Sequence, residues 1–395
     1  MKFSSKQGQR LIRYFATCPR GLEKLLADEL LNIGGQAIEI QASGVHFEGD
    51  WRLGMRANLY SRVASRILQR VGHGAYRGED DLYSLVNGVP WERWFNESHS
   101  LRVDVSSRRS DLKSLQFMTL RAKDAICDRF RGLSGQRPSI DKVNPDIRVM
   151  LFVDDRFGTV YLDLSGEALF KRGWRLDKGP APIKENLAAA LVLLSGWKPD
   201  QVLFDPMCGS GTVLIEAALI AQNVPPGIHR HFAFEKFNTF DKYRWIEVRQ
   251  EAKDQMIPVA SGQLKLFGSD YSEHMIDLAS QNAERARVPL RLRVGDARVV
   301  PPPKTSAEQG GTIITNPPYE ERVAVEGQNT EVFFSEWASH LKKNFTDWSC
   351  WVISNSSTLT KDMHLRPSQK IPVFNGDLEC KLYQFVMKSG VFSEK

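Results

Sequence analysis

Asp205-Pro206-Met207-Cys208-Gly209-Ser210-Gly211-Thr212 stands between an apolar stretch, Gln201 to Phe204, and a run of apolar residues, Val213 to Ala221, that reads as a helix. A strand, a tight turn with two glycines and a helix, in that order, form the repeating unit of a parallel sheet wound with helices. Glycine lets the backbone turn sharply and approach a ligand closely, and a helix amino terminus attracts negative charge. The stretch therefore predicts an open α/β sheet with a small-molecule site at the carboxyl end of one strand. Taken alone, the motif leaves open a strand-to-helix turn without a ligand.

Working outward from that turn, the residues beyond Ile183 repeat the strand, turn and helix pattern. Strands are expected at Leu264 to Phe267, Leu290 to Val294, Thr312 to Thr315 and Cys350 to Ile353, followed by a hairpin from Lys370 to Met387 that turns at Asn375-Gly376. A dinucleotide site would want a Gly-x-Gly-x-x-Gly turn and an acidic residue about 20 residues on. This chain departs from that pattern, because Asn223 to Gly262 is inserted before the next strand and the acidic residue is Asp270. Strand-end position matters more than sequence distance, so Asp270 is expected to accept hydrogen bonds from ribose hydroxyls; capping of the following helix is the other reading. Asp296, in Gly295-Asp296-Ala297, ends the next strand and is expected to receive an adenine amine, with an Asx turn as its alternative.

Asn316-Pro317-Pro318-Tyr319 follows the apolar strand Thr312 to Thr315 directly. Two prolines remove two backbone donors and stiffen the loop, so the Asn316 side-chain oxygen and the Pro317 carbonyl project as paired acceptors suited to an amine. Tyr319 then offers a flat ring on which a planar base can stack. Asn316, Pro317, Pro318 and Tyr319 are accordingly the expected catalytic residues.

Upstream of this domain, Arg20 to Ser165 mixes helices and strands without regular alternation, as in α+β folds. Helical spacing is read over Gly21 to Asn32, Arg52 to Leu68 and Asp111 to Phe130. Strands are read at Ala37 to Phe47, turning at Ser43-Gly44, and in a hairpin of Ile147 to Val153 with Thr159 to Leu164. Lys171 to Pro182, rich in Lys, Arg, Gly and Pro, reads as a linker. Arg102, Arg108, Arg109, Lys113, Arg121 and Lys123 cluster around the Asp111 helix as candidate phosphate contacts, interleaved with Asp104, Asp111 and Asp124 in a way that an ordinary solvated face would also show.

The five cysteines (Cys18, Cys127, Cys208, Cys350 and Cys380) are scattered and never form a Cys-x-x-Cys pair, so reduced thiols are expected and no zinc site. The eight histidines show no spacing that suggests a metal, and no metal is expected. A formal charge of +6 permits a polyanionic partner without demanding one. The longest apolar run, Ala188 to Leu194, is far short of the roughly 20 residues that cross a bilayer, and a cytoplasmic protein is expected.

The glycine turn and Asn316 to Tyr319 together resemble the amino-methyltransferase class of Rossmann-like methyltransferases, and the resemblance implies S-adenosylmethionine as cofactor. It implies a cofactor site made of Pro182, Asp205, Pro206, Cys208, Gly209, Ser210, Gly211, Thr212, Asp270, Asp296 and Asn316. More narrowly, Ala181-Pro182-Ile183-Lys184-Glu185-Asn186-Leu187-Ala188, Arg20-Gly21-Leu22-Glu23 and Gly44-Val45-His46-Phe47-Glu48-Gly49-Asp50 are similar to the THUMP-domain RNA guanine-N2 methyltransferases. Within them, the match is to the amino-terminal half of the bacterial enzymes that form N2-methylguanosine in large-subunit (23S) ribosomal RNA. The resemblance covers nearly the whole chain and implies an RNA-binding region at 1–165, a ferredoxin-like segment and then a THUMP module at about 45–160. A seven-stranded methyltransferase domain is implied at 166–395. One departure stands beside the motif: Glu320-Glu321-Arg322 follows Tyr319 where the family has Gly-Glu-Arg, which changes the shape of the expected base pocket.

The same tetrapeptide occurs in DNA adenine methyltransferases and in enzymes that methylate a protein glutamine, so the motif does not choose the target. The amino-terminal region favours RNA, ribosomal over transfer RNA. A non-catalytic RNA-binding module is the reading from a different class; the intact glycines, Asp270, Asp296 and Asn316 argue against it.

Overall fold

A computed structural model of the chain describes residues 11–112, 114–175, 183–259, 263–304, 310–318 and 330–388. Contacts divide the chain into two units, one containing Glu23–Leu169, the strand before it and Gly227–Glu251, the other containing Pro19–Leu22, Phe170–Pro226 and the residues from Ala252 onward. Among the described residues no helix is long and apolar enough to cross a membrane.

The first unit contains β1 (Ile12–Thr17), α1 (Glu23–Asn32), β2 (Gln36–Gln41), β3 (Gly44–Gly49), α2 (Trp51–Tyr60), β4 (Arg66–Ala75) and α3 (Glu79–Asn87). It continues with β5 (Ser100–Ser107), α4 (Leu115–Ser134), β6 (Ser139–Ile140), β7 (Ile147–Val153) and β8 (Phe157–Asp163). Its strands form one eight-stranded sheet in the order β2-β3-β1-β4-β8-β7-β5-β6. Period-2 alternation puts Tyr14, Ala16, Val45 and Phe47 in the core. Leu53 of α2 and Leu82 of α3 press so closely on Gly49 and Gly158 that a Cβ at either glycine would meet them at 2.2 and 2.5 Å.

The helix expected over Arg52 to Leu68 ends at Tyr60, and Arg66 to Leu68 already belong to β4. Asp50 caps the start by accepting the Leu53 N–H at 2.8 Å. The stop is a tertiary contact. The buried Glu29 carboxylate on α1 accepts the Ser61 hydroxyl at 2.7 Å and the backbone N–H groups of Arg62 and Val63 at 3.1 and 3.3 Å, which holds the chain out of helical geometry.

The second unit contains α5 (Glu185–Ser195), β9 (Leu203–Asp205) and α6 (Thr212–Ala221). The inserted residues then leave it, because Gly227–Glu251, with most of α7 (Lys242–Asp254), belongs to the first unit. There Phe234 packs edge-on against Trp245 at 5.1 Å and against Trp51 at 6.4 Å. The second unit resumes with β10 (Leu266–Asp270), α8 (Glu273–Ala286), β11 (Arg291–Val294), β12 (Thr312–Thr315), α9 (Thr330–Asn344), β13 (Ser349–Ser354), β14 (Gln369–Asn375) and β15 (Leu378–Val386).

Its seven-stranded sheet has the order β11-β10-β9-β12-β13-β15-β14, parallel through β13, with β15 antiparallel to both neighbours. The expected strands, the closing hairpin and its turn, with Gly376 at φ 67°, are all present within a few residues. Phe204, Ile313, Trp337, Phe345, Cys350 and Phe385 form the core between the sheet and α9. Strand order reverses between β9 and β12, the crevice where open α/β sheets bind ligands.

Candidate active site

Parallel pairing aligns the carboxyl ends of β9, β10, β11 and β12 along one edge: Gly268 pairs with Asp205, Asp270 with Val294, and Ile313 with Phe204. The glycine turn, Asp270, Asp296 and Asn316 therefore all leave the sheet at the same edge.

The turn after β9 uses left-handed backbone at Gly209 (φ 51°) and Gly211 (φ 81°), and a Cβ at Gly211 would meet Ala279 of α8 at 3.1 Å. Only glycine serves there without strain. The loop is laced to its surroundings at each step. Ser269 O accepts the Cys208 N–H at 2.9 Å, Asp270 Oδ2 accepts the Gly209 N–H at 2.9 Å, and the Asn282 side chain donates to Ser210 O at 3.1 Å. Asp270 Oδ1 meanwhile accepts the Ser272 N–H at 3.1 Å. The carboxylate thus joins the glycine loop to the start of α8, beside the position expected for a ribose.

Asp205, at the end of β9, is buried, and its carboxyl is pushed up to about 7, first by burial and then by the neighbouring Asp270 charge. Burial also raises the Cys208 thiol well above its ordinary value, so the side chain packs as a neutral thiol and any ligand contact at this position falls to the backbone. Asp296 holds a partner that the sequence reading did not include. Both its oxygens accept from the Arg298 guanidinium, with Nη2 at 2.6 Å, and that hydrogen bond holds its carboxyl below the usual range.

Asn316 is half-buried immediately after β12, followed by the buried Pro317 and the half-buried Pro318. Tyr319, Glu320 and Pro182 lie outside the described residues, as does Lys113.

Lys171 to Pro182 was expected to be a linker; its first residues are instead packed into the second unit. Arg172 and Trp174 are 5% and 6% exposed. Arg172 pairs with Glu216 of α6 at 3.4 Å, both side chains essentially inaccessible. Arg175 donates to the Thr212 hydroxyl at 2.5 Å and to Ile183 O at 2.8 Å, and lies 3.5 Å from Glu185. Arg285 of α8 donates to Trp174 O at 2.9 Å and to Asn282 Oδ1 at 2.6 Å, so the segment and α8 brace the glycine loop from two sides. Sequence reasoning missed this bracing. The signal was present in Glu216, an acid within an otherwise apolar helix, which requires a buried cation.

In the first unit the candidate phosphate contacts separate into two groups. Arg102 binds Asp104 at 2.8 Å, Arg121 binds Asp80 at 2.6 Å and stacks 4.6 Å over Tyr83, and Lys123 binds Asp124 at 2.8 Å. Arg108 and Arg109 are exposed after β5 and make no ion pair among the described residues.

Comparison with known proteins matches residues 172–384 to the RMKL-like methyltransferase domain, residues 13–68 to the RlmL ferredoxin-like domain and residues 76–163 to the THUMP domain. The chain belongs to the RMKL-like methyltransferase family. It is 36% identical over 383 residues to the ribosomal RNA large subunit methyltransferase K/L of Photobacterium profundum, covering 96% of this chain and 53% of that protein. It is 37% identical over 385 residues to the protein of the same name from Syntrophotalea carbinolica, covering 95% and 53%. The chain thus spans about half the length of these curated relatives. Among solved structures, SMU.472 in complex with SAH (S-adenosylhomocysteine) matches with a TM-score of 0.83 at 30% identity, covering 96% of this chain and 99% of that one. A chain from Listeria monocytogenes described as a predicted N6-adenine-specific DNA methylase matches at 0.84 and 31%, covering 96% and 97%. The family is that of S-adenosylmethionine-dependent methyltransferases, with the expected ferredoxin-like and THUMP modules ahead of a mixed seven-stranded sheet.

Proposed function

We propose that the chain methylates the exocyclic 2-amino group of a guanine in RNA, with large-subunit ribosomal RNA as the favoured substrate. The observation that carries this reading is Asn316-Pro317-Pro318 at the end of β12, adjacent in the sheet to the β9 glycine loop. The THUMP match at 76–163 and the names of the K/L relatives support RNA over DNA and ribosomal RNA over transfer RNA.

The residues present fit the cofactor: two left-handed glycines open the backbone at the amino end of α6, and the Asp270 carboxylate stands at the next strand end. When bound, S-adenosylmethionine supplies an electrophilic methyl group on a sulfonium. Pro182, Asp205 to Thr212 (Met207 excepted), Asp270, Asp296 and Asn316 are the proposed binding residues, with Asp270 directed at the ribose and Asp296 at the adenine.

Asn316 and the Pro317 carbonyl then act on the target. Their oxygens accept the two N–H bonds of the amine and keep its lone pair directed at the methyl carbon, and they stabilise the positive charge that grows on nitrogen. The bound cofactor would supply the methyl group to the nitrogen so held, and the amine's surplus proton would leave to water. Pro318 stiffens the loop, and Tyr319 is proposed to stack on the extruded base. Arg108 and Arg109 are the proposed phosphate contacts of the amino-terminal region; Arg102, Arg121 and Lys123 serve there only by exchanging a carboxylate for a phosphate, and Lys113 completes the set.

The DNA adenine alternative is favoured by one observation, the description of the Listeria monocytogenes relative. Methyl transfer from labelled S-adenosylmethionine to ribosomal RNA, transfer RNA and duplex DNA, followed by nucleoside analysis, separates these targets. Label in N2-methylguanosine supports the proposal, and label in N6-methyladenine of DNA refutes it.

A further inference from the structure

In the first unit, the face of the eight-stranded sheet opposite Tyr14, Phe47 and Gly158 has a different chemistry from the helix-covered face. Register places Arg13 opposite Glu48, Phe15 opposite His46, Arg70 opposite Tyr161 and His73 opposite Thr159, so these side chains emerge on one side of β1, β3, β4 and β8. Phe15 and His46 have ring centroids 4.6 Å apart, and Phe15 continues to Tyr161 at 6.1 Å. His73 stacks on Phe157 at 5.0 Å and 19°, and Phe157 is 40% exposed.

Glu48 and Glu39 share this face with Arg13 and Arg70, but among the described residues only one of the two guanidiniums is ion-paired. Arg13 lies 2.5 Å from Glu48 with 58% of its side chain exposed. Arg70 makes no ion pair among the described residues, and burial together with the Arg13 charge lowers its affinity for its proton. A partly desolvated guanidinium held near a like charge, with no carboxylate of its own, favours an added anion. Burial and the Arg70 charge keep the His73 imidazole below its ordinary pKa, and burial does the same at His46. Both are then neutral flat rings at pH 7, suited to stacking.

We propose that this sheet face is a platform for a single-stranded segment of RNA, in which Phe15, His46, His73 and Phe157 stack on bases and Arg13 and Arg70 hold backbone phosphates. The proposal rests on the reading that the substrate is RNA. A sheet that carries exposed rings takes unpaired bases, because every base has a flat face, whereas a duplex hides those faces in its own stack. Arg108, Arg109 and the residues around α4 form a separate candidate surface.

The test uses the full chain and fluorescence anisotropy with a short labelled RNA strand and the matching RNA duplex. The intact protein is expected to prefer the strand. Phe157→Ala and His73→Ala each weaken strand binding about five-fold or more, the lower end of the loss from one stacking ring. Arg13→Ala with Arg70→Ala lowers the slope of log affinity against log salt by about 0.7 per arginine. Circular dichroism and urea unfolding of each variant, read beside the intact protein, show that the first unit is folded. Photo-crosslinking of the unaltered protein to RNA containing 4-thiouridine, with peptide mapping, adds a readout independent of substitution. Crosslinks in β1, β4 and β8 are expected. Unchanged strand affinity in folded variants overturns the platform, and so do crosslinks confined to α4 or the second unit. Binding is read without catalysis, so a protein that binds the strand on this face but leaves guanine unmethylated refutes the proposed activity and not the platform.

Discussion

Replacing Asp270 by alanine removes one carboxylate that does two jobs. Its oxygens accept the Gly209 N–H at 2.9 Å and the Ser272 N–H at 3.1 Å, and under the proposed binding mode they also accept the ribose hydroxyls. A hydrogen bond to a charged group contributes about 1.5–3 kcal/mol. The Ser272 N–H lies at a partly exposed helix start, where water replaces the lost acceptor, so most of the stability cost comes from Gly209. Asp270→Ala is therefore expected to lower unfolding stability by about 2 kcal/mol. Cofactor affinity falls by a comparable or larger amount, about 10- to 150-fold, because loop order and ribose contact are lost together. Asp270→Asn keeps one carbonyl oxygen, retains more of the loop contact and loses more in affinity than in stability. The assay is calorimetric titration with S-adenosylhomocysteine beside urea unfolding of the apo protein. Undiminished affinity in a folded Asp270→Ala protein would refute both the ribose contact and the view that this carboxylate shapes the loop.

The buried pairs behind the glycine loop give a second prediction: Arg175→Met leaves Glu185 with only the Arg172 charge to offset its burial and costs about 3 kcal/mol in stability, and Glu185→Gln in the same protein recovers part of it. A loss below about 1 kcal/mol in urea unfolding would show that the Thr212 contact and this pair are incidental. Asp205 gives a pH dependence. Its folded pKa of about 7 lies above the unfolded value of 3.8, so the folded state binds the extra proton and stability falls as pH rises between those values, then levels off. Asp205→Asn should flatten that decline and raise Tm more at pH 8 than at pH 4, and equal shifts at both would contradict an elevated pKa. Arg108→Ala with Arg109→Ala should lessen the salt dependence of RNA binding, and an unchanged slope would make them solvated charges. Tyr319→Ala should weaken capture of the target base by about 1–3 kcal/mol, with Tyr319→Phe restoring it, as read by KM in single-turnover methyl transfer.

The second unit was legible because its signals are local. Strands at Thr312 to Thr315 and the hairpin at Asn375-Gly376 follow from apolar runs and turn chemistry within a few residues, and the glycines that need left-handed backbone are written in the turn itself. The first unit was less legible. The end of α2 is set by Glu29, thirty-two residues upstream of Ser61, and no window around Tyr60 contains it. Polar Arg and Gly residues hid a buried brace in Arg172 to Arg175, since composition does not reveal which charges will find buried partners at Glu216 and Glu185. Candidate cations were visible around α4, but their pairing with Asp80, Asp104 and Asp124 depends on the folded surface. The alternation Arg13, Phe15 on β1 was present in the sequence, yet its partners His46, Arg70 and Phe157 come from three other strands.

The most direct measurement of the central claim is mass analysis of ribosomal RNA nucleosides from a host lacking this gene and from the same host carrying either the intact gene or Asn316→Ala. The account predicts that N2-methylguanosine at one large-subunit site is lost on deletion and restored by the intact gene. Asn316→Ala protein should keep its cofactor affinity nearly unchanged while its turnover falls by about two to three orders of magnitude, so restoration fails. Full restoration by Asn316→Ala, or an unchanged level of N2-methylguanosine after deletion, would contradict it.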